Sequence, residues 1–421
     1  MSQIHVIGAG LAGLAAALSL TAAGRSVTIH EAGPAAGGRC RSYFDKELGL
    51  RIDNGNHLLL SGNRAAVAYI GEIGARDAFN VLDEAIFPFV DIKTGERWVV
   101  HPNRGRIPWW VLRANRRVPE TRLSDYVGMA RIARIRDDTT VGDSMRRGRL
   151  YWRLLEPIAV AALNTSTQEG LARLLAAVMR ETLLRGGKAC KPMLPKEGLS
   201  EALIDPAIAT LRARGADIRV NSRIAELTTS SGRITALRGP DGPVAIGSGD
   251  AVVLAVPPWV AADLLPGLVA PEAFEAILNI HYRYEADPAG PLGEAGFIGL
   301  ISGTAEWLFM KPGHVSVTIS AANNMAEDSG RDIASLVWPN VVEALGLHAS
   351  AKEAMPKYRV VKEKRATFAA TAEQDMRRPG TRSALAANVA LAGDWTDTGL
   401  PATIEGAIRS GRAAADVVLR L

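Results

Sequence analysis

Ile4-His5-Val6-Ile7-Gly8-Ala9-Gly10-Leu11-Ala12-Gly13 is the stretch whose reading decides the fold. A short β-prone run enters a GxGxxG turn, and Ala15 to Leu20 continue it as an Ala/Leu-rich helix that ends at Gly24. Val27-Thr28-Ile29-His30 then makes a second strand, with Glu31 at its end and Ala32 beside it. Each part has a physical task. Gly8 permits the tight turn, Gly10 lets backbone approach a pyrophosphate, and Gly13 allows close packing of helix on strand. The N–H groups of Leu11 and Ala12 open a helix, where free donors and the positive dipole end favour an anion. Glu31 is spaced to accept hydrogen bonds from ribose hydroxyls. A glycine turn alone is weak, but strand, turn, helix and acid agree on a dinucleotide-binding βαβ unit.

Moving outward, Gly37-Gly38-Arg39 follows Glu31 closely. Two glycines admit close backbone approach, and Arg39 offers a charge-assisted fork for phosphate; a surface salt bridge is its alternative reading. Cys40 reads as a small packing residue. At the other end, residues 389–392 form a buried-type strand that runs into Gly393-Asp394-Trp395-Thr396-Asp397. Gly399-Leu400-Pro401-Ala402-Thr403 and an Ala-rich helix with Glu405, Gly406 and Ala407 come next. Asp394 alternatively reads as a plain N-cap.

These two segments resemble, in motif and spacing, those of the flavin oxidoreductases of the amine oxidase and polyene desaturase type. By that resemblance the cofactor is FAD, the GGR segment wraps its pyrophosphate, and Gly393 and Asp394 face the ribityl–pyrophosphate region. Pro401, Ala402, Thr403 and Ala407 then lie near the isoalloxazine, where a helix N-terminus stabilises negative charge on reduced flavin. No cysteine lies in this C-terminal segment, so the FAD is expected to be noncovalent. The same resemblance sets Asn54-Gly55-Asn56-His57 against the flavin ring and the backbone at Arg223 and Ile224 beside the adenine. Residues 217–227 read as one strand holding that pair, and a strand over 251–256 ends at Pro257. The fold class is therefore α/β, a Rossmann-type FAD-binding domain of the GR2 kind with an inserted α+β substrate domain. The FAD-binding parts are expected at 1–75, 196–265 and 371–421, and the substrate and membrane-facing parts at 76–195 and 266–370.

Composition narrows the remaining classes. The two cysteines and seven histidines show no metal-ligand spacing, so no metal site is expected. No secretory signal and no run of eighteen apolar residues is visible, which points to the cytoplasm. The formal net charge of +5 is uneven: thirteen Arg and five acids fall within residues 104–153. Trp109-Trp110 stands among these arginines, and residues 123–136 place Leu123, Tyr126, Val127, Ala130 and Ala133 on one helical face. Rings at headgroup depth and guanidiniums on anionic lipid describe a surface that rests on a membrane, with segment 104–136 as its docking face. A partly buried Trp pair beside a solvated basic helix is the bland alternative. Nucleic acid is disfavoured, because no binding motif accompanies the charge.

Further stretches resemble one family, the hydroxysqualene dehydroxylases, also called squalene-associated FAD-dependent desaturases. They are Ala162-Leu163-Asn164-Thr165, Lys191-Pro192-Met193-Leu194-Pro195, Ala305-Glu306-Trp307-Leu308-Phe309 and Glu363-Lys364-Arg365-Ala366-Thr367-Phe368-Ala369-Ala370. Ser166 departs from the pattern, which has proline there. The resemblance implies reduction of hydroxysqualene to squalene in bacterial squalene and hopanoid synthesis, with upstream enzymes of that route as partners. An allylic alcohol ionises once protonated, and the cation takes hydride from reduced flavin N5. His57 and Glu405 are the candidate acids. His57 reads equally as a structural histidine. A thirty-carbon substrate prefers lipid to water by up to about 20 kcal/mol, so peripheral association with the inner face of the cell membrane follows. The alternatives are an oxidative desaturase or amine oxidase of the same type, and a non-enzymatic isoprenoid-binding protein. No second nucleotide fingerprint marks the electron donor.

Overall fold

The computed structural model describes residues 2–132 and 134–421. Gln3–Ile7 lies in the middle of a five-stranded sheet whose order is Asp217–Arg219, Ser26–His30, Gln3–Ile7, Ala251–Leu254, Val389–Leu391. All four pairings are parallel. The central strands are buried on both faces, which accounts for their nearly continuous apolar sequence. Helices Leu11–Ala22, Asp205–Ala213 and Ile404–Val418 cover one face. An antiparallel meander of Glu226–Ser230, Arg233–Gly239 and Gly242–Ala245 covers the other through Leu227, Ile234 and Leu237. Residues 217–227 are thus two short strands, not one. Asn221 and Ser222 leave the sheet because their N–H groups donate to Gly33 O and Glu31 O.

A second, seven-stranded sheet carries the rest. Its order is Tyr358–Phe368, Phe274–Tyr282, His314–Ile319, Trp307–Lys311, Phe297–Ile301, Phe87–Asp91, Arg97–Val100. It is antiparallel except where Phe297–Ile301 meets Phe87–Asp91. Helix Gly330–Leu345 seals one face with Ile333, Val337, Trp338 and Val341. On the other face, Phe89, Phe297, Trp307 and Phe309 pack against Glu156–Leu163 and Ala172–Glu181. Asn164, in the left-handed region at φ 48°, ends the first of these helices and allows the turn into Thr165 and Ser166. Its amide ties both layers together: Nδ2 donates to Thr367 Oγ1 at 2.9 Å, and Oδ1 accepts from Ala321 N–H at 2.7 Å.

The Arg-rich segment divides differently from the sequence reading. Trp110 is core, 4% exposed and edge-on to Tyr126, whereas Trp109 is 43% exposed. Helix Leu123–Ile132 buries Tyr126, Met129 and Ile132. Leu123, Val127 and Ala130 face outward instead, and Ala133 lies outside the described residues. The Tyr126 hydroxyl accepts from Val118 N–H at 3.1 Å, which fixes the helix rotation. No helix among the described residues is long and apolar enough to cross a membrane.

Candidate functional site: a two-ended cofactor cradle

The glycine turn is built as its spacing requires. Gly8 has φ +103°, and a Cβ there would sit 2.4 Å from Ala255 O, just before Pro257. A Cβ on Gly13 would lie 1.9 Å from Gly8 O. Gly10 is different: its φ is −74°, and a Cβ built on it meets nothing within 4 Å. Gly10 is also the N-cap of helix Leu11–Ala22 and supplies no side-chain cap, so the first N–H groups of that helix open onto the same space. That is a cradle shaped for an anion.

Glu31 folds back over the turn. Its Oε2 accepts from Ala9 N–H at 2.9 Å and its Oε1 from Gly33 N–H at 2.8 Å, next to exposed Ala32. Gly37 pairs with Gly10 as an isolated parallel bridge, and Gly38 comes within 3.5 Å of Gly10 Cα by the same Cβ test. Arg223 is exposed and Ile224 buried in the loop that Glu31 O anchors, so both lie beside Glu31 but outside any strand.

Arg39 joins the two ends of the chain. Its Nη2 donates to Asp394 Oδ1 at 2.7 Å and its Nη1 to Ala366 O at 2.5 Å. Burial opposes its charge, and Asp394 more than restores it. Arg39 is thus ion-paired with Asp394, and its side chain keeps 42% of its surface accessible. Asp394 is not a plain N-cap: it sits between Gly393 and the buried ring of Trp395. Gly393 N–H donates to Ser410 Oγ at 2.9 Å, and a Cβ on Gly411 would lie 2.0 Å from Ala12 O. The C-terminal helix is thus pressed against the first one. Pro401, Ala402 and Thr403 lead into it, with Thr403 Oγ1 accepting from Gly406 N–H at 3.1 Å and half-buried Ala407 in its first turn. Arg378, which the sequence reading passed over, holds the loop by donating to Thr396 O and Asp375.

The segment from Asn54 to His57 crosses between the sheets. Asn54 Nδ2 donates to Glu363 Oε2 at 3.2 Å. Asn56 Nδ2 donates to Ser316 Oγ at 2.7 Å and Thr318 Oγ1 at 3.0 Å, and Gly55 packs on Asn279. The amide nitrogens are thus spent on the seven-stranded sheet, Glu363 included, while Asn56 Oδ1 is buried without a hydrogen-bond partner among the described residues. His57 Nε2 lies 3.9 Å from Cys40 Sγ. Burial lowers the His57 pKa to about 4, with Arg39 and Lys311 opposing a proton, while burial pushes the Cys40 thiol up to about 12. A pKa lowered in this way favours the neutral imidazole and makes His57 a poor proton donor near pH 7.

Glu405 is also corrected. Its Oε1 and Oε2 each accept at 2.9 Å, from Ala65 N–H and Ala66 N–H, capping helix Arg64–Glu72 from outside. Arg409 Nη2 donates to Oε1 at 2.7 Å. Both of its carboxylate oxygens are thus engaged in holding two helices together. Sequence reading also missed a buried ion pair, Lys311 Nζ to Asp53 Oδ2 at 2.9 Å, with side chains 6% and 3% exposed. No local spacing announces two residues so far apart in the chain.

This cradle fits FAD: open space at Gly10, unpaired helix donors, and an accessible guanidinium between the two halves. Comparison with known proteins agrees. The family model for flavin containing amine oxidoreductases matches residues 11–286 and 301–419. Cyclohexylamine oxidase from Brevibacterium oxydans shares the fold with a TM-score of 0.70 at 16% identity, over 100% of this chain and 99% of that one. The fold and cradle thus define an FAD-dependent oxidoreductase. Hydroxysqualene dehydroxylase of Rhodopseudomonas palustris is 46% identical over 99% of this chain and 98% of its own length. That of Zymomonas mobilis subsp. mobilis is 43% identical over 100% and 99%. The chain belongs to the hydroxysqualene dehydroxylase family.

Proposed function

We propose that this chain reduces hydroxysqualene to squalene with FAD as its cofactor. The observation that carries this is the 46% identity over essentially full length to a hydroxysqualene dehydroxylase. Bound in the cradle, FAD supplies hydride to carbon. The chain's own residues do the rest. Gly10, the N–H groups from Leu11 to Gly13, and Gly38 seat the pyrophosphate; Glu31 takes the ribose. Arg39 and Asp394 hold the two ends together around the middle of the cofactor, and the helix start at Thr403 faces the flavin ring. Leu58, Phe87, Ile158, Ala162, Leu183 and Leu194 are partly buried against the aromatic cluster and offer apolar surface suited to a branched polyene. Excluding water there protects an allylic cation from capture.

The test is anaerobic mixing of photoreduced holoenzyme with hydroxysqualene. Flavin reoxidation with one squalene formed per flavin is expected; flavin that stays reduced overturns the reading. Oxidised flavin bleached by a polyene or amine instead would mark an oxidative enzyme.

The substrate arrives from a bilayer. Ile107, Leu112, Val127, Leu123 and Trp109 are 78%, 66%, 54%, 46% and 43% exposed. Arg113 and Arg116 lie 5.6 and 5.2 Å from the Trp109 ring centroid. This face rests on an anionic leaflet, apolar side chains inserted and guanidiniums on headgroups. At about 1 kcal/mol per basic side chain, Arg113→Gln with Arg116→Gln is expected to weaken binding to anionic vesicles roughly thirtyfold. Ile107→Asp with Leu112→Asp should abolish sedimentation with vesicles without loss of flavin; unchanged sedimentation of both variants would refute this docking face.

A further inference from the structure

Glu306 stands where the strand Trp307–Lys311 begins, half-buried between the seven-stranded sheet and helix Glu156–Leu163. Its Oε2 accepts from Ser320 N–H at 2.8 Å. No other residue among those described hydrogen-bonds or ion-pairs its carboxyl. Its backbone N–H donates to Thr318 O, whose side chain accepts from Asn56, the neighbour of His57. The turn that Ser320 belongs to is held from the other side by Asn164, whose amide also reaches Thr367, beside the Ala366 carbonyl bound by Arg39. Glu306 directly precedes Trp307, whose partner across the strand pair, Thr318, meets Asn56 of the cofactor-facing segment. Trp307 packs with Phe297, itself stacked on Phe309, in the buried aromatic cluster.

Three other carboxyls of the site are ion-paired. Asp53 is paired with Lys311, Asp394 with Arg39, and Glu405 with Arg409. Glu306 has no cation. Arg153, the guanidinium on the facing helical run, is engaged with Glu96 and the Trp98 ring.

We propose that Glu306 is the proton donor to the departing hydroxyl, given the reaction proposed above. The proton moves from the Glu306 carboxyl to the substrate oxygen, and the C–O bond breaks with its electron pair leaving on water. The allylic carbon then takes hydride from reduced FAD, so carbon is reduced, the flavin is oxidised, and Glu306 is left as a carboxylate to be reprotonated from solvent. Ser320 N–H is already in place to hold that carboxylate.

The electrostatics favour this role. Burial, with a smaller contribution from the Glu156 charge, raises Glu306 to about 7, while the Ser320 hydrogen bonds limit the rise. Glu156 is itself raised by burial, with Thr167 and Arg147 opposing the shift. A carboxyl poised near the working pH combines protonated population with acid strength.

The test uses flavin-loaded protein and three variants. Glu306→Gln is expected to bind FAD normally yet transfer hydride to hydroxysqualene about 10²–10⁴-fold more slowly, the usual worth of a general acid. With the corresponding allylic acetate, whose leaving group needs no proton, the variant should approach wild-type rate. Wild-type rate should fall as pH rises through the Glu306 pKa, and Glu156→Gln should move that limb to lower pH by removing a like charge. Glu306→Asp should recover part of the loss. Infrared difference spectra of wild type should show a carboxyl band that titrates near neutral pH and vanishes in Glu306→Gln, with no substrate present. A Glu306→Gln variant as fast as wild type on the alcohol, or equally slow on the acetate, overturns the assignment. Wild-type protein that never oxidises its reduced flavin with hydroxysqualene overturns the reaction itself, and the proton donor with it.

Discussion

Gly10→Val is expected to give a folded but colourless protein. The backbone at Gly10 is extended, with φ −74° and ψ 177°, so valine is tolerated conformationally. A Cβ at that position touches no protein atom within 4 Å, so no packing is disturbed. What its methyl groups occupy is the space in front of the helix donors, where a pyrophosphate must approach. The melting temperature of the apoprotein should stay within a degree or two, while bound flavin per chain falls at least tenfold. Full flavin content would place the cofactor elsewhere. Gly13→Ala makes the contrast: its methyl would meet Gly8 O at 1.9 Å, so this smaller change should impair folding itself. The two glycines belong to one motif, yet one serves the ligand and the other the fold.

Lys311→Ala is expected to cost about 3–5 kcal/mol of stability, the usual penalty for stranding one member of a buried ion pair. Asp53 would keep hydrogen bonds from Ser42 Oγ at 2.6 Å and Leu199 N–H at 2.8 Å but lose its cation, Lys311. In the native protein, burial works to raise Asp53, but Lys311, Ser42 and Leu199 together depress it. A depressed carboxyl contributes stability that is complete above its unfolded value and is lost as pH falls through the folded one. Without Lys311 the sign inverts: burial raises Asp53, and the variant is relieved as acid protonates it. Urea unfolding from pH 7 to 4 should therefore show the gap between wild type and variant shrinking with acid. A gap constant across that range would mean that Lys311 acts by packing alone. Asp53→Asn combined with Lys311→Met should recover much of the loss, since neither charge then remains buried.

Legibility in the sequence followed distance along the chain. Gly8 to Glu31 were readable because every partner sits within one βαβ unit, and the bonds from Ala9 and Gly33 to Glu31 are local. Asp394 was placed by its motif, but its partner was not, because Arg39 lies 355 residues away. Glu405 was misjudged for the same reason. An acid in the first turn of a helix beside a flavin motif invites a chemical role, and only the fold shows two N–H groups of another helix waiting for it. Periodicity marked 123–136 as helical, where the helix spans Leu123–Ile132, and chose the wrong face, since a single hydroxyl contact from Tyr126 to Val118 outweighs the exposure of Leu123 and Val127. Trp109 and Trp110 are adjacent in sequence and opposite in environment, a distinction that composition does not carry.

The contact of Gly411 with Ala12 has a consequence for biogenesis. Helix Leu11–Ala22 is nearly all apolar, and its cover, Ile404–Val418, is made about 390 residues later. At about 5–20 residues per second, that wait lasts roughly 20–80 s on the ribosome. For most of it the edge strand Val389–Leu391 is also missing, so once Ala251–Leu254 has been made the parallel sheet stays open beside it. Nascent chains are thus sticky at their oldest end until the last segment emerges. A stop codon ahead of residue 404 should send the whole product to aggregates or proteases, however complete its nucleotide turn.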